Sequence, residues 1–306
     1  MLESLRIISR NSAMALYQSN YVKQKLNELY PDINLEVCGI TTIGDRVVDR
    51  PLTQIGGKGL FTEELETFLR NKTYDIAVHS AKDLSVSLEK DFVIAAFLER
   101  DDASDAFVSN KYNNLRELPS GAVVGTSSPR RESLLNRYYP HLTVKLLRGN
   151  VPTRVNKLDR EEYDGIIVAT SGLYRLSLQH RIKQRLCENQ FIPAIGQGAL
   201  AIEVLASETH LIEMLKPLNH SDTHITLSTE REVGRILQAG CSVPLAVHAQ
   251  IKANSIHLQA YLADKISGLH CEFVGYALCP EYLQLADRCA QEMLKQGAQK
   301  ILQRYT

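Results

Sequence analysis

The 306-residue sequence has no apolar run long enough to cross a membrane. Its longest runs, such as Val93-Ile94-Ala95-Ala96-Phe97-Leu98, are strand-sized and far below the ~18 to 20 residues of a spanning helix. Neither sign of charge is in excess, since 35 basic residues face 35 acidic ones. That argues against nucleic-acid binding through a broad basic face, which depends on surplus Lys and Arg, so an anionic ligand has to meet a local cluster. The six cysteines, Cys38, Cys187, Cys241, Cys271, Cys279 and Cys289, show no C-x-x-C spacing. Neither a zinc ribbon nor a thioredoxin-like pair is supported, no metal site is expected, and reduced cytoplasmic thiols are the default. With 17 Gly and 10 Pro the chain is not collagenous or low-complexity. Met1-Leu2-Glu3-Ser4-Leu5-Arg6 lacks the basic head and apolar core of a signal peptide, so export is not expected. What remains, 44% hydrophobic and 23% charged residues, fits a folded protein of two or three domains.

Short apolar runs alternate with helical patterns through the first two thirds of the chain, the signature of parallel sheets with crossover helices. One unit opens with a strand at 5–9, Ser12 as an N-cap, and a helix through Leu16, Val22, Leu26 and Leu29 that stops before Pro31. Further strands are expected at 35–40, 75–79 and 93–98. A second unit opens with a strand at 122–125, a Thr-Ser-Ser turn, and a helix through Leu134 and Leu135 ending before Pro140. Strands at 144–147 and 165–169 follow. Ser9-Arg10-Asn11-Ser12 and Thr126-Ser127-Ser128-Pro129-Arg130-Arg131 resemble each other, so the two units read as a pseudo-repeat. Polar or Gly/Pro-rich connectors at 99–104 and 193–198 make two crossings. If the apolar run 199–205 returns to the first sheet, a cleft is expected between two lobes. The expected division is 1–98 with 199–216, then 104–192, then a small α+β domain at 221–306. In that last domain Ile256, Leu258, Ala260 and Leu262 share one strand face.

Arg10, Arg130, Arg131, Arg148, Arg154 and Arg175 all fall near predicted strand ends or helix starts. Guanidinium forks bind carboxylates or phosphates bidentately, and Ser12, Thr126, Ser127 and Ser128 add hydroxyls beside helix amino termini; the plain alternative is a set of solvated surface arginines. Lys82 and Asp83 follow the strand at 75–79. A carboxylate beside a cation suits stabilising positive charge better than donating a proton, or the two form an ordinary surface pair. His79 reads as a structural histidine rather than a base. Gly56-Gly57-Lys58-Gly59-Leu60-Phe61 is not a Walker A loop, because Gly59 stands where Ser or Thr is required; it is a lid or a flexible loop. Gly196-x-Gly198 precedes a strand-like run, which excludes a dinucleotide fingerprint. Cys241 lies on a loop between Gly240, read as a helix cap, and Pro244.

Taken in order, Arg10-Asn11-Ser12, Gly56 to Phe61, Val78-His79-Ser80-Ala81-Lys82-Asp83, Gly125 to Arg131, Leu147-Arg148-Gly149-Asn150-Val151-Pro152-Thr153-Arg154, Gly196-Gln197-Gly198 and Gly240-Cys241-Ser242-Val243-Pro244 resemble the porphobilinogen deaminase (hydroxymethylbilane synthase) family. The resemblance implies two lobes like a periplasmic binding protein, with mainly parallel sheets, and a third, α+β domain carrying a dipyrromethane cofactor on Cys241 by thioether. It implies a monomeric transferase that joins four porphobilinogen molecules head to tail, releasing ammonia, without nucleic-acid or membrane partners. Position by position, Arg10, Ser12, Lys82, Arg130, Arg131, Arg148, Arg154 and Arg175 would bind cofactor and substrate carboxylates, assisted by Thr126, Ser127 and Ser128. Asp83 would be catalytic, facing the pyrrole N–H groups, and Lys58 and Phe61 would belong to a lid. Each pyrrole bears an acetate and a propionate, so a neutral protein needs a focused cationic site. Pro129, Pro152 and Ser85 depart from the expected pattern, where leucine, glycine and proline respectively are usual. The competing reading is a non-catalytic two-lobed binding protein for a carboxylated small molecule, with Cys241 unmodified.

Overall fold

The computed structural model describes residues 3–42, 62–240, 242–264 and 268–305. The chain divides into two compact units, Met1–Asp101 with Ala199–His224, and Asp102–Gly198 with Ile225–Thr306.

In the first unit β1 (Ser4–Arg10) leads to α1 (Ala13–Leu29), β2 (Asn34–Ile40), α2 (Glu63–Arg70), β3 (Ile76–Ser80) and β4 (Phe92–Phe97). The second unit contributes β5 (Asp105–Val108), β6 (Val123–Thr126), α3 (Pro129–Tyr138), β7 (Thr143–Leu146), α4 (Val151–Asp159), β8 (Gly165–Ala169), α5 (Thr170–Arg175) and β9 (Ile182–Arg185). The chain then returns to the first unit with β10 (Leu200–Leu205) and α6 (Thr209–Leu215) before α7 (Ser221–Ile236). Sheet order is β2-β1-β3-β10-β4 in the first unit and β7-β6-β8-β5-β9 in the second. The orders are equivalent strand for strand, so the pseudo-repeat expected from the two arginine-bearing turns is a repeat of topology. In each sheet the reversed strand is the one that arrives after a crossing. β10 runs antiparallel to β3 and β4, and β5 runs antiparallel to β8 and β9. The apolar run at 199–205 enters the first sheet as β10.

Strands buried on both faces read as continuous apolar runs, and β1 shows why. Ile7 joins Leu5, Val22, Leu26, Ile76 and Val78 on the side of α1, whereas Ile8 joins Leu65, Leu69, Ala77 and Phe92 on the side of α2. β5 and β9, of four residues each, are strands that the sequence reading does not contain.

The last segment forms β11 (Leu245–Lys252), β12 (Ser255–Ala263) and β13 (His270–Leu278), an antiparallel sheet, followed by α8 (Tyr282–Lys295) and α9 (Ala298–Leu302). Ile256, Leu258, Ala260 and Leu262 are buried on one face against Leu285, Cys289, Met293 and Ile301. Tyr261 and Ala263 alternate to the other face and join the core around Phe107, Leu134 and Ile167. One local expectation changes. The left-handed residue after α7 is Gln238, with φ +51°, so the helix reverses before Gly240. Cys187 is exposed, whereas Cys271 and Cys289 fill the core. Among the described residues no helix is long and apolar enough to cross a membrane.

Candidate active site

On the first unit, β1 ends at Arg10 and Ser12 caps α1, its Oγ accepting from the Ala15 amide at 3.2 Å. Neighbouring β3 ends at Ser80 and turns once through Ala81–Asp83. Parallel strand ends are therefore side by side, which brings Arg10 Nη1 to 3.9 Å from Asp83 Oδ2. The sequence reading paired Asp83 with Lys82; the structure adds Arg10 as a second cation against the same carboxylate. Asp83 is half-buried and Lys82 exposed. The turn is anchored by Ser80, whose hydroxyl exchanges hydrogen bonds with the Gln18 amide, and by the Ala81 N–H donating to Ala199 O.

On the second unit three hydroxyl or amide caps do the same work. Thr126 Oγ1 accepts from Ser128 N, Ser128 Oγ accepts from Arg131 N, and Asn150 Oδ1 accepts from Thr153 N. Pro129 and Pro152 stand in the first two positions of α3 and α4, where an N–H has no intrahelical partner to lose. Arg154 links the two turns, donating from Nε to Gly149 O at 2.8 Å and from Nη2 to Ser127 Oγ at 3.3 Å. Gly149 has φ +112°, and an added Cβ would stand 2.7 Å from Thr153. Only glycine fits this close left-handed turn. Burial pushes the Arg148 guanidinium down from its ordinary value. Arg175 closes α5 and donates from Nη2 to Gly198 O; it stands at a helix end, not at the strand end or helix start expected of it.

Arg130 and Arg131 are 3% and 5% exposed and share a carboxylate that the sequence did not single out, that of Asp105, which is fully buried. Arg131 donates to Asp105 Oδ1 from Nε at 3.0 Å and from Nη2 at 2.7 Å. Arg130 donates from Nη2 to the same oxygen and places Nη1 2.9 Å from Oδ2. Gln197 Nε2 adds a donor at 2.9 Å and also binds Ala103 O. Burial alone would raise the Asp105 carboxyl, but the Arg130 and Arg131 charges outweigh it and hold the group well below the usual carboxylate range. Two arginines and one aspartate leave a net single positive charge there. Arg130 Nε is buried with no hydrogen-bond partner among the described residues. Asp105 opens β5, directly after the polar connector at 99–104, where its charge reads as one more solvated residue; Gln197 lies within the Gly196-Gln197-Gly198 motif but carried no charge to mark it. Cys241, Lys58 and Phe61 lie outside the described residues. Among those that are described, no group of His, Cys, Asp and Glu is arranged to hold a metal ion.

A family profile described as "Porphobilinogen deaminase, dipyromethane cofactor binding domain" matches residues 5–213, and one described as "Porphobilinogen deaminase, C-terminal domain" matches residues 224–294. The chain belongs to the porphobilinogen deaminase family. Porphobilinogen deaminase from Laribacter hongkongensis is 44% identical over 304 residues, 98% of either chain. That from Thiobacillus denitrificans is 45% identical over 303 residues, also 98% of each. Neisseria meningitidis serogroup B porphobilinogen deaminase is 50% identical over 246 residues, 80% of this chain and 79% of that one. A solved putative methionine-binding lipoprotein from Bacillus subtilis aligns with 72% of this chain and 91% of its own at 12% identity, with a TM-score of 0.45. The protein is a porphobilinogen deaminase family transferase, an enzyme of tetrapyrrole biosynthesis whose substrate is porphobilinogen and whose cofactor is dipyrromethane. The donor set suits that cofactor. Its acetate and propionate groups call for guanidinium forks and capped helix amino termini.

Proposed function

We propose that cofactor and substrate carboxylates pair with Arg10, Ser12 and Lys82 on the first unit and with Thr126, Ser127, Ser128, Arg130, Arg131, Arg148, Arg154 and Arg175 on the second. Cys241 carries the cofactor through its sulfur, and Lys58 and Phe61 belong to a covering loop. When bound, the dipyrromethane supplies the nucleophilic pyrrole carbon and stays on the enzyme as a primer. The protein's part is to orient carboxylates and manage charge. Asp83 faces the substrate pyrrole N–H, and Arg10 at 3.9 Å holds the carboxylate toward it. As ammonia leaves the aminomethyl group of porphobilinogen, positive charge develops on the remaining azafulvenium system, and the fixed Asp83 carboxylate stabilises it. After coupling, an Asp83 oxygen takes the proton released from the pyrrole carbon. The same reading makes the protein a cytoplasmic monomer without nucleic-acid or membrane partners.

The observation that supports this assignment best is the side-by-side placing of Arg10 and Asp83 at adjacent parallel strand ends. Asp83→Asn tests it. The variant is expected to keep its cofactor, read by intact mass, and to lose turnover by about 100-fold or more, the scale of removing a charge that stabilises a transition state. Substantial retained turnover in the loaded, folded variant would refute the role.

A further inference from the structure

The face of the first sheet under α2 has an apolar centre that holds one buried carboxylate of the sheet itself. Ile8, Leu65, Leu69, Ala77, Phe92 and Leu205 form its core, yet Glu203 is buried there at 0% exposure with His79 beside it. β3 and β10 pair antiparallel with Ala201 opposite His79, so Glu203, two residues on, stands on the same face within diagonal reach. His79 Nε2 lies 2.9 Å from Glu203 Oε2. The β10–β4 register shifts between Ile202 and Glu203, a bulge of the kind that re-aims a side chain. Glu203 Oε1 is buried without a hydrogen-bond partner among the described residues.

Stability does not explain this pair. An apolar residue at position 203 would bury equally well without desolvating a charge, and replacing buried ion pairs by apolar residues is often neutral or stabilising. Glu66 on α2 reports the same charge from above: burial first, and then the Glu203 carboxylate, push its carboxyl up. What the pair does hold is the end of β3. From His79 the chain runs through Ser80, fastened to Gln18, and Ala81, fastened to Ala199 O, into the single turn that presents Asp83. His79 is the root of that turn, and Glu203 is its buried hydrogen-bond partner.

We propose that Glu203, acting through His79, is a positioning residue for Asp83. The proposal rests on the reading of Asp83 given above. Its loss should slow the chemical step far more than it weakens substrate binding, because most of the proposed carboxylate donors lie on other turns and only Lys82 shares this one.

The test compares holoenzymes carrying Glu203→Gln, Asp83→Glu and both changes, with cofactor content by intact mass and with kcat and KM for porphobilinogen. Glu203→Gln is expected to keep the cofactor, hold KM within about twofold and lower kcat by about tenfold or more. In the Asp83→Glu background, where the carboxylate is already displaced, the same change should alter kcat by less than about threefold, because residues acting as a unit are non-additive. His79→Gln should reproduce the Glu203→Gln profile and serves as the test if that variant does not fold. A kcat within about twofold of the parent, equal losses in both backgrounds, or a loss confined to KM or cofactor content would overturn the proposal. Asp83→Asn separates the two readings. An inactive Asp83→Asn beside a normal Glu203→Gln refutes the positioning role alone, whereas a fully active Asp83→Asn refutes both.

Discussion

Replacing Asp105 by Asn changes two atoms at the centre of the second unit. Asp105 Oδ1 accepts from Arg131 Nε and Nη2, Arg130 Nη2 and Gln197 Nε2, at 3.0, 2.7, 3.2 and 2.9 Å, while Oδ2 lies 2.9 Å from Arg130 Nη1. If the asparagine oxygen keeps the first position, its NH2 replaces Oδ2 and faces a guanidinium donor. Two arginines then remain buried without a counter-charge, and breaking a buried pair in this way costs about 3–5 kcal/mol. The assay is urea unfolding followed by circular dichroism across pH. Because the folded Asp105 carboxyl is held below its unfolded value of about 3.9, its stabilisation is present above that pH and is lost as pH falls toward the folded value. The difference between wild type and variant should therefore be flat from neutral pH to about pH 5 and shrink below about pH 4. A loss under about 1 kcal/mol at neutral pH would refute the reasoning, since that is the scale of an exposed pair. An independent loss of cofactor is also expected, because Arg130 and Arg131 lose their orientation.

Arg154→Lys should raise KM for porphobilinogen by about tenfold without unfolding, because a single ammonium cannot replace the fork between Gly149 O and Ser127 Oγ; steady-state kinetics checks it. Gly149→Ala meets Thr153 at 2.7 Å in a left-handed turn and should destabilise by about 1–3 kcal/mol in urea unfolding. Gly165→Ala drives a Cβ into the Phe107 ring, which is fully buried, and should cost about 1–3 kcal/mol in the same assay.

Local chemistry made the repeated openings legible. Ser12 caps α1 as the sequence required, Ser128 of the Thr-Ser-Ser turn caps α3, and Pro31 and Pro140 end the same helices from outside. The alternation of Ile256, Leu258, Ala260 and Leu262 placed one face of β12. What local patterns could not carry was contact made by topology. Asp105 reaches Arg130 and Arg131 because β5 enters the second sheet after a crossing, and Glu203 meets His79 across a separation of 124 residues. The turn at Gln238 was missed for a related reason: the φ of a helix-ending residue is set by what packs around it.

The central claim is that this chain carries a dipyrromethane on Cys241 and extends it with porphobilinogen. Intact mass of the purified protein, with peptide mapping, tests it most directly. The expected result is a mass increase of two linked pyrroles confined to the peptide containing Cys241, absent from Cys241→Ser. A protein that stays unmodified at Cys241 even after incubation with porphobilinogen would contradict it.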